Sequence, residues 1–549
     1  MRKVCQAICC GLLASVLLHP LATAQPPSAQ TTAPRIAPLA GGGDFIRKLI
    51  EDVAHGEPDY DAMMPLFAMS VRSQLWMTRE LFTSLGSVKS VVLKAITPQG
   101  FDTYAVTFDN GALDFNILAD RDNKFVVTFV PPAYPPAERL IDDELFNFIR
   151  TRLEEMDFSG VVLVARDGKP VFTATRGLAD REQGTPNKLD TRFRIASVTK
   201  PLTAVAVMQL VQAGKVRLDA PIGTYVKDYP NPDVAIRVTV HQLLTHTSGL
   251  GDIFSTKDDA LRLKQKNLEQ YVATFGPRPL EYTPGEGMRY SNYGYMVLGR
   301  LIEAISGQTY PDYMHANVFQ PAGMTLSGFE LDNATVEGRA KGYMWEAGGF
   351  KSNAETSPAG ATSSGGAYST AEDLLAFANA LQSGKLLSTA YTRLLMEPKA
   401  SDGYAYGFQT QSSGSIRTAE HTGGIAGANA ALSIIDSGKA VIVVLSNQRP
   451  PDHASALNTM IHRRIKVLLP DGTEAQFVRV PGRAFPSEAQ RVAAFETADK
   501  DHDGLLDREG FRAALQTLGF ADQINALLAR YDVNGDGVIS IQEIRNSTP

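Results

Sequence analysis

Three short strings lie in order along the middle of this 549-residue chain: Ser197-Val198-Thr199-Lys200, Tyr290-Ser291-Asn292 and His421-Thr422-Gly423-Gly424. The first offers a hydroxyl and an amine three residues apart, a spacing that puts both on one face of a helix. A serine hydroxyl is a poor nucleophile until a neighbouring base takes its proton. A lysine serves as that base only when burial or a nearby cation lowers its pKa. The second string adds a phenol and a carboxamide two residues apart, on the same side of an extended or looping segment. Tyr290 can share a proton with Ser197 and Lys200, while Asn292 bonds Lys200 or a substrate amide. The third string opens with His421, a donor for a substrate carboxylate or carbonyl. Gly423 and Gly424 have no side chains to hold a substrate away from the backbone. The N–H of Gly424, with that of Ser197, is expected to form an oxyanion hole. Each string alone is weak, since Ser-x-x-Lys arises about once by chance in a chain of this length. Together they describe acyl transfer through a serine.

The flanking patterns supply elements to position them. Arg194-Ile195-Ala196 reads as extended and residues 200–210 as helical, so Ser197 falls at a helix N-terminus. There, unpaired N–H groups and the dipole favour a developing anion. Pro201 suits a first helical turn, where its missing N–H has no partner to lose. Pro284-Gly285-Glu286-Gly287 places Tyr290 on a loop. Residues 161–165 and 171–175 form a hairpin around Asp167-Gly168, and 430–435 and 440–445 are apolar strands joined at Asp436-Ser437-Gly438. An antiparallel sheet faced by helices follows, with the substrate pocket built from segments such as 251–276 and 331–362. Ser369-Thr370-Ala371-Glu372 is a capping box before the periodic run 373–381. His246 and Ser248 shape a turn ahead of Gly249 through backbone hydrogen bonds. His315 is a surface or boundary histidine with no assigned role.

At these residues the chain resembles the class C β-lactamase-like family of serine hydrolases, which also holds DD-peptidases, D-aminopeptidases and esterases. The resemblance spans about residues 140–465. Besides the three strings, it rests on Leu243-Leu244-Thr245-His246-Thr247-Ser248-Gly249-Leu250, Thr283-Pro284-Gly285, Ala359-Gly360 and Gly365-Gly366-Ala367-Tyr368-Ser369. It implies an α+β fold of the β-lactamase/DD-peptidase type and no catalytic cofactor. It also implies that Ser197 is the acylated nucleophile, Lys200 its base or base-tuner, and Tyr290 the proton donor to the leaving group. Asn292, His421, Gly423 and Gly424 become substrate-binding residues. His421 stands where true class C β-lactamases carry lysine, and histidine there resembles DD-peptidases, D-aminopeptidases and some esterases. The leading expectation is a serine hydrolase of D-amino-acid peptides, amides or esters. A true class C-type β-lactamase and a non-catalytic protein binding peptidoglycan fragments or penicillin are the alternatives.

The ends of the chain add a compartment and a second binding function. Arg2 and Lys3 precede an apolar run ending near Leu21, then Ala22-Thr23-Ala24, which reads as a signal peptide over residues 1–24 and predicts a periplasmic or secreted protein. All three cysteines, Cys5, Cys9 and Cys10, fall inside it, so disulfides and thiol catalysis are excluded from the mature chain. Removing Arg2 and Lys3 takes the formal charge from −6 to −8, unsuited to nucleic acid. No later stretch has the apolar length of a membrane span. Residues 25–43 read as a flexible linker rich in Pro, Ser, Thr, Ala and Gly. Over 44–132, helical patterns at 45–54 and 60–69 precede strand-like runs at 88–96, 103–108, 112–117 and 124–129. Turns at Asp109-Asn110-Gly111 and Asp122-Asn123 join them into a small α+β cone, similar to NTF2-like domains, that serves binding or spacing. A hydrolase domain at 140–468 and a linker at 469–486 follow.

Residues 487–549 read as an all-α EF-hand pair, with a dockerin-like duplicated loop as the alternative. In the second loop Asp532, Asn534, Asp536, Val538, Ser540 and Glu543 occupy every calcium-liganding position, and Gly537 sits at the turn. The first loop has Asp499, Asp501 and Asp503 but Gly510 at the twelfth place, with Glu509 one residue early. That offset turns the carboxylate by roughly 100° on the exiting helix, so poorer coordination is expected. Leu506 and Ile539 hold the eighth places, where paired hands bond back to back.

Overall fold

The computed structural model describes residues 37–97, 101–120, 122, 124–129, 139–254, 256–330, 336–346, 349–353, 362–400, 402–413, 416–435, 439–449, 452–467, 488–518, 538–541 and 544. In the N-terminal part, α1 (Gly42–His55) presents Ile46, Leu49, Ile50 and Val53 at helical spacing on one buried face. α2 (Pro65–Leu85) starts with proline in its first turn. β1 (Val88–Ile96), β2 (Asp102–Phe108), β3 (Gly111–Ala119) and β4 (Phe125–Phe129) form an antiparallel meander in chain order. Phe108 pairs with Gly111, leaving Asp109 and Asn110 as the two-residue turn the sequence marks. Ile46, Ile50, Phe82, Val106, Phe115 and Ile117 fill the space between helices and sheet.

The central part is built on a six-stranded antiparallel sheet. Its chain order begins with α3 (Asp142–Glu155), β5 (Gly160–Arg166) and β6 (Lys169–Arg176). Then come α4 (Thr199–Gln212), α5 (Asn292–Ser306) and α6 (Ala371–Gln382). It ends with β7 (Gln409–Ser413), β8 (Ile416–Ile425), β9 (Ala428–Ile435), β10 (Ala440–Ser446) and α7 (His453–Arg464). The spatial strand order is β7-β8-β9-β10-β5-β6. β5 and β10 read as unbroken apolar runs because both faces of the sheet are covered. Val161, Leu163, Val441, Val443 and Leu445 pack on the side of α4 and α6. Val162, Val164, Ile442 and Val444 pack on the side of α3 and α7. Thr370 caps α6, its side chain accepting from the Asp373 N–H, so the cap falls one residue later than the Ser369-to-Glu372 box read from the sequence. Residues 251–276 are more structured than their pattern suggests, containing the helices Thr256–Arg262 and Leu268–Phe275.

In the tail, α8 (Glu488–Ala498) and α9 (Arg508–Thr517) flank the first loop, and β11 (Leu505–Leu506) pairs with β12 (Ile539–Ser540). Leu506 pairs with Ile539 in that short ladder, which links the first loop to the strand of the second. Phe495, Phe511, Leu515 and Ile544 close its core. Among the described residues no helix is long and apolar enough to cross a membrane.

Candidate active site

Ser197 lies in a single 3-10 turn, Ala196–Val198, directly ahead of α4. Its lead-in departs from the extended path expected: Ala196 has φ 46, in the left-handed region. That conformation costs a residue with a Cβ roughly 1–2 kcal/mol. Thr199 holds it, its hydroxyl donating to the Ala196 carbonyl at 2.7 Å and accepting the Ala367 N–H at 3.2 Å. Strain of this kind persists where the surroundings over-determine it.

Lys200, one turn along, is fully buried. Its Nζ lies 3.1 Å from Ser197 Oγ, 2.8 Å from Asn292 Oδ1 and 2.7 Å from the Ser364 carbonyl oxygen. The rings of Tyr290 and Tyr295 stand 4.7 Å and 5.6 Å from the amine. Burial lowers the Lys200 pKa from 10.5 to about 7, with Asp252 pulling weakly the other way. An amine in that range is a competent base near neutral pH.

Tyr290 ends the loop before α5, Ser291 caps the helix through the Gly294 N–H, and Asn292 is its first residue. Tyr290 bonds Ser197, and burial pushes its phenol well up, so the hydroxyl keeps its proton. The segment is braced from beneath by His246, which is buried and sits at φ 59. His246 Nδ1 accepts the Ser291 N–H at 3.1 Å, and its ring lies 4.3 Å from that of Tyr290. His246 therefore acts through its side chain as well as through the backbone bonds expected of that turn, its carbonyl oxygen accepting the Arg289 N–H at 2.9 Å. Asp252 bonds both the side chain and the backbone N–H of Asn292, each at 3.0 Å. Sequence alone left Asp252, Ser364, Tyr295 and Tyr404 out. A lone acidic residue after a glycine turn, or a tyrosine on a loop, carries no spacing signal.

The edge of β8 meets the nucleophile turn at Gly423. A Cβ there would stand 2.2 Å from the Ile195 carbonyl oxygen and 2.9 Å from Ser197 N, so the close approach requires glycine. A Cβ on Gly424 would meet instead the Arg449 guanidinium, which is tied to Asp452. His421 differs from its expected role. Its Nδ1 lies 2.7 Å from the Thr422 carbonyl oxygen and its Nε2 3.1 Å from the Tyr404 hydroxyl. A neutral ring satisfies both, donating from Nδ1 and accepting the Tyr404 proton at Nε2. Burial, reinforced by Lys200, lowers the His421 pKa to about 3. The imidazole thus has no spare donor for a substrate carboxylate in this arrangement.

In the tail, Asp499, Asp501 and Asp503 bring carboxylate oxygens within 4.8 Å of one another. Asp499 Oδ2 accepts the Gly504 N–H at 3.0 Å, while its buried Oδ1 has no partner among the described residues. An orphaned carboxylate oxygen facing two more carboxylates fits a hard cation, so even the loop lacking its twelfth ligand offers a calcium-like donor set. Of the second loop, Val538 and Ser540 are described, whereas Asp532, Asn534, Asp536 and Glu543 lie outside the described residues.

A strained serine turn, a buried lysine and a capped Tyr-x-Asn loop lie together beside an antiparallel sheet, an arrangement of the β-lactamase type. Residues 145–464 match the Beta-lactamase family, and the chain belongs to it. Residues 490–547 match the EF-hand domain pair. Esterase EstB of Burkholderia gladioli is 40% identical over 183 residues, covering 31% of this chain and 46% of that protein. The chain therefore spans less than half the length of that curated relative. A penicillin binding protein from Bacillus halodurans is 34% identical with a TM-score of 0.53, covering 57% of this chain and 98% of its own. A D-amino acid amidase from Ochrobactrum anthropi SV3 is 26% identical with a TM-score of 0.51, covering 58% and 97%.

Proposed function

We propose that this protein is an exported serine hydrolase that cleaves esters and D-amino-acid amides or peptides through an acyl-enzyme on Ser197, with a calcium-binding tail. The observation that carries the reading is the buried Lys200 amine 3.1 Å from Ser197 Oγ, with a pKa of about 7. In acylation Ser197 Oγ attacks the carbonyl carbon and its proton passes to neutral Lys200. The oxyanion is held by the N–H groups of Ser197 and Gly424. The carbonyl–heteroatom bond then breaks, Tyr290 donates its proton to the leaving amine or alkoxide, and the Lys200 ammonium reprotonates the phenolate. Water repeats the attack to release the acid and free Ser197.

The neutral, engaged His421 supports substrates that do not depend on a cation at that position, esters and amides rather than penicillins. Calcium held at Asp532, Asn534, Asp536, Val538, Ser540 and Glu543, and less tightly at Asp499, Asp501 and Asp503, supplies tail stability and takes no part in the chemistry. Export rests on residues 1–24, and the N-terminal sequence of protein recovered from a periplasmic extract tests it. The central test is intact-mass spectrometry after a fluorophosphonate, with peptide mapping and a panel of p-nitrophenyl esters, D-aminoacyl anilides, a D-Ala-D-Ala peptide and a chromogenic cephalosporin. An adduct on a residue other than Ser197 overturns the mechanism. Turnover of the cephalosporin above all other substrates makes the protein a β-lactamase. Absence of any adduct makes it a binding protein.

A further inference from the structure

Three acceptors surround the Lys200 amine, and they are not equivalent. The Ser364 carbonyl oxygen at 2.7 Å can only accept. The Asn292 side chain at 2.8 Å accepts only if its oxygen, rather than its NH₂, faces the lysine. Ser197 Oγ at 3.1 Å can either accept or donate. A neutral amine has two N–H bonds and one lone pair. When Ser364 and Asn292 each take an N–H, the lone pair is left facing Ser197, whose hydroxyl must then donate to it. If the Asn292 amide were reversed, its NH₂ would compete for that lone pair.

What sets the amide is Asp252. An ionised carboxylate has no proton to give, so the Asn292 group 3.0 Å from Asp252 Oδ2 must be Nδ2, and Oδ1 must face Lys200. The carboxylate is itself fixed by the N–H groups of Asn292, at 3.0 Å, and Ile253, at 2.9 Å, on Asp252 Oδ1. The Asn292 N–H belongs to the first turn of α5, where negative charge is favoured. We propose that Asp252 is a positioning residue for acylation: by holding the Asn292 amide in one orientation it aims the Lys200 lone pair at Ser197. The proposal rests on the reading of Ser197 and Lys200 as nucleophile and base. Besides Asp252, the titratable groups around Lys200 are Tyr290, Tyr295, His246 and His421. The two tyrosines are held protonated and the two imidazoles neutral by burial, which leaves Asp252 as the charge acting on the amine.

The test uses the full-length mature protein and the rate at which a fluorophosphonate labels Ser197, measured from pH 5 to 9. In that reaction the Oγ–P bond forms, the P–F bond breaks, fluoride leaves and the serine proton goes to Lys200, so the base step is read without leaving-group protonation. Asp252→Asn should slow labelling by roughly 10–100-fold, part of the 10²–10⁴ that a positioned base supplies. Because the Asp252 charge raises the Lys200 pKa, its loss should also move the acid limb of the profile to lower pH. In an Asn292→Ala background, adding Asp252→Asn should leave the plateau rate above the acid limb unchanged, since no amide remains to orient. Asp252→Glu should recover part of the rate. Wild-type rate and limb in folded Asp252→Asn, or losses that multiply in the double variant, overturn the proposal. A lower rate with an unmoved limb reduces Asp252 to a structural role and does the same. Should Asp252→Asn not fold, the rate ratio of Asp252→Glu with and without Asn292→Ala decides in its place. No label on Ser197 in the wild type overturns the underlying reading instead.

Discussion

Lys200 is the group on which the proposed chemistry turns, and its state can be read twice from one titration. Burial takes its pKa from 10.5 to about 7, a difference of roughly 5 kcal/mol between charged and neutral forms. For acylation, about a tenth of the protein carries the neutral base near pH 6, about half near pH 7 and about nine tenths near pH 8. The labelling rate of Ser197 should therefore rise about tenfold per pH unit below the midpoint and level off above it. For stability the sign follows from proton counting. Between about pH 7 and 10.5 the unfolded lysine holds a proton that the folded one has released, so stability rises with pH at about 1.4 kcal/mol per unit. That contribution is complete above the unfolded value and is lost as pH falls from 10.5 to about 7. Replacing the amine by a similar uncharged side chain, Lys200→Met, should remove this slope and abolish labelling. The assay is thermal unfolding of both proteins from pH 6.5 to 9.5, taking the difference between them. Parallel stability curves, or a labelling midpoint near that of an ordinary lysine, would refute a buried neutral amine at this position.

Gly423→Ala should slow Ser197 labelling at least about tenfold, because overpacking against backbone costs about 1–3 kcal/mol and here displaces the nucleophile turn. At Gly424 the nearest atoms are those of the Arg449 side chain, which can shift where backbone cannot, so Gly424→Ala should slow labelling less than Gly423→Ala; the two rates, measured side by side, check the steric argument. His421→Lys should raise acylation by benzylpenicillin relative to a p-nitrophenyl ester without abolishing either, and an unchanged ratio would refute the role given to that position. Calcium at a hundredfold excess over its dissociation constant should stabilise the tail by about 2.7 kcal/mol. By titration calorimetry Asp532→Ala should lose the tighter site and Asp499→Ala the weaker, while chelation leaves Ser197 labelling untouched.

What was legible in the sequence was whatever local geometry determines. The spacing of Ser197 and Lys200 is a helical turn, whereas Tyr290 and Asn292, read as neighbours on a looping segment, are set instead by a helix cap on Ser291. The hairpin at Asp109 and Asn110 is likewise written into neighbouring residues, and the ladder joining Leu506 to Ile539 follows from the eighth place each holds in its loop. The apolar strands pointed to an antiparallel sheet faced by helices, and the structure shows that sheet covered on both faces. What was not legible is which proton or lone pair each group presents. His421 looked like a free donor until Tyr404, brought alongside by the fold, occupied its second nitrogen. Ala196 looked extended until contacts from Thr199 and Ala367 held it left-handed. Residue type says which atoms exist, whereas their protonation and direction depend on partners far along the chain. Lys200, Asn292 and Asp252 come from three separate segments, and each permits several hydrogen-bond patterns by itself. Joined, with Ser364 added, they allow one pattern in which no donor faces a donor, and in it the only group left for the lone pair of the lysine is the hydroxyl of Ser197.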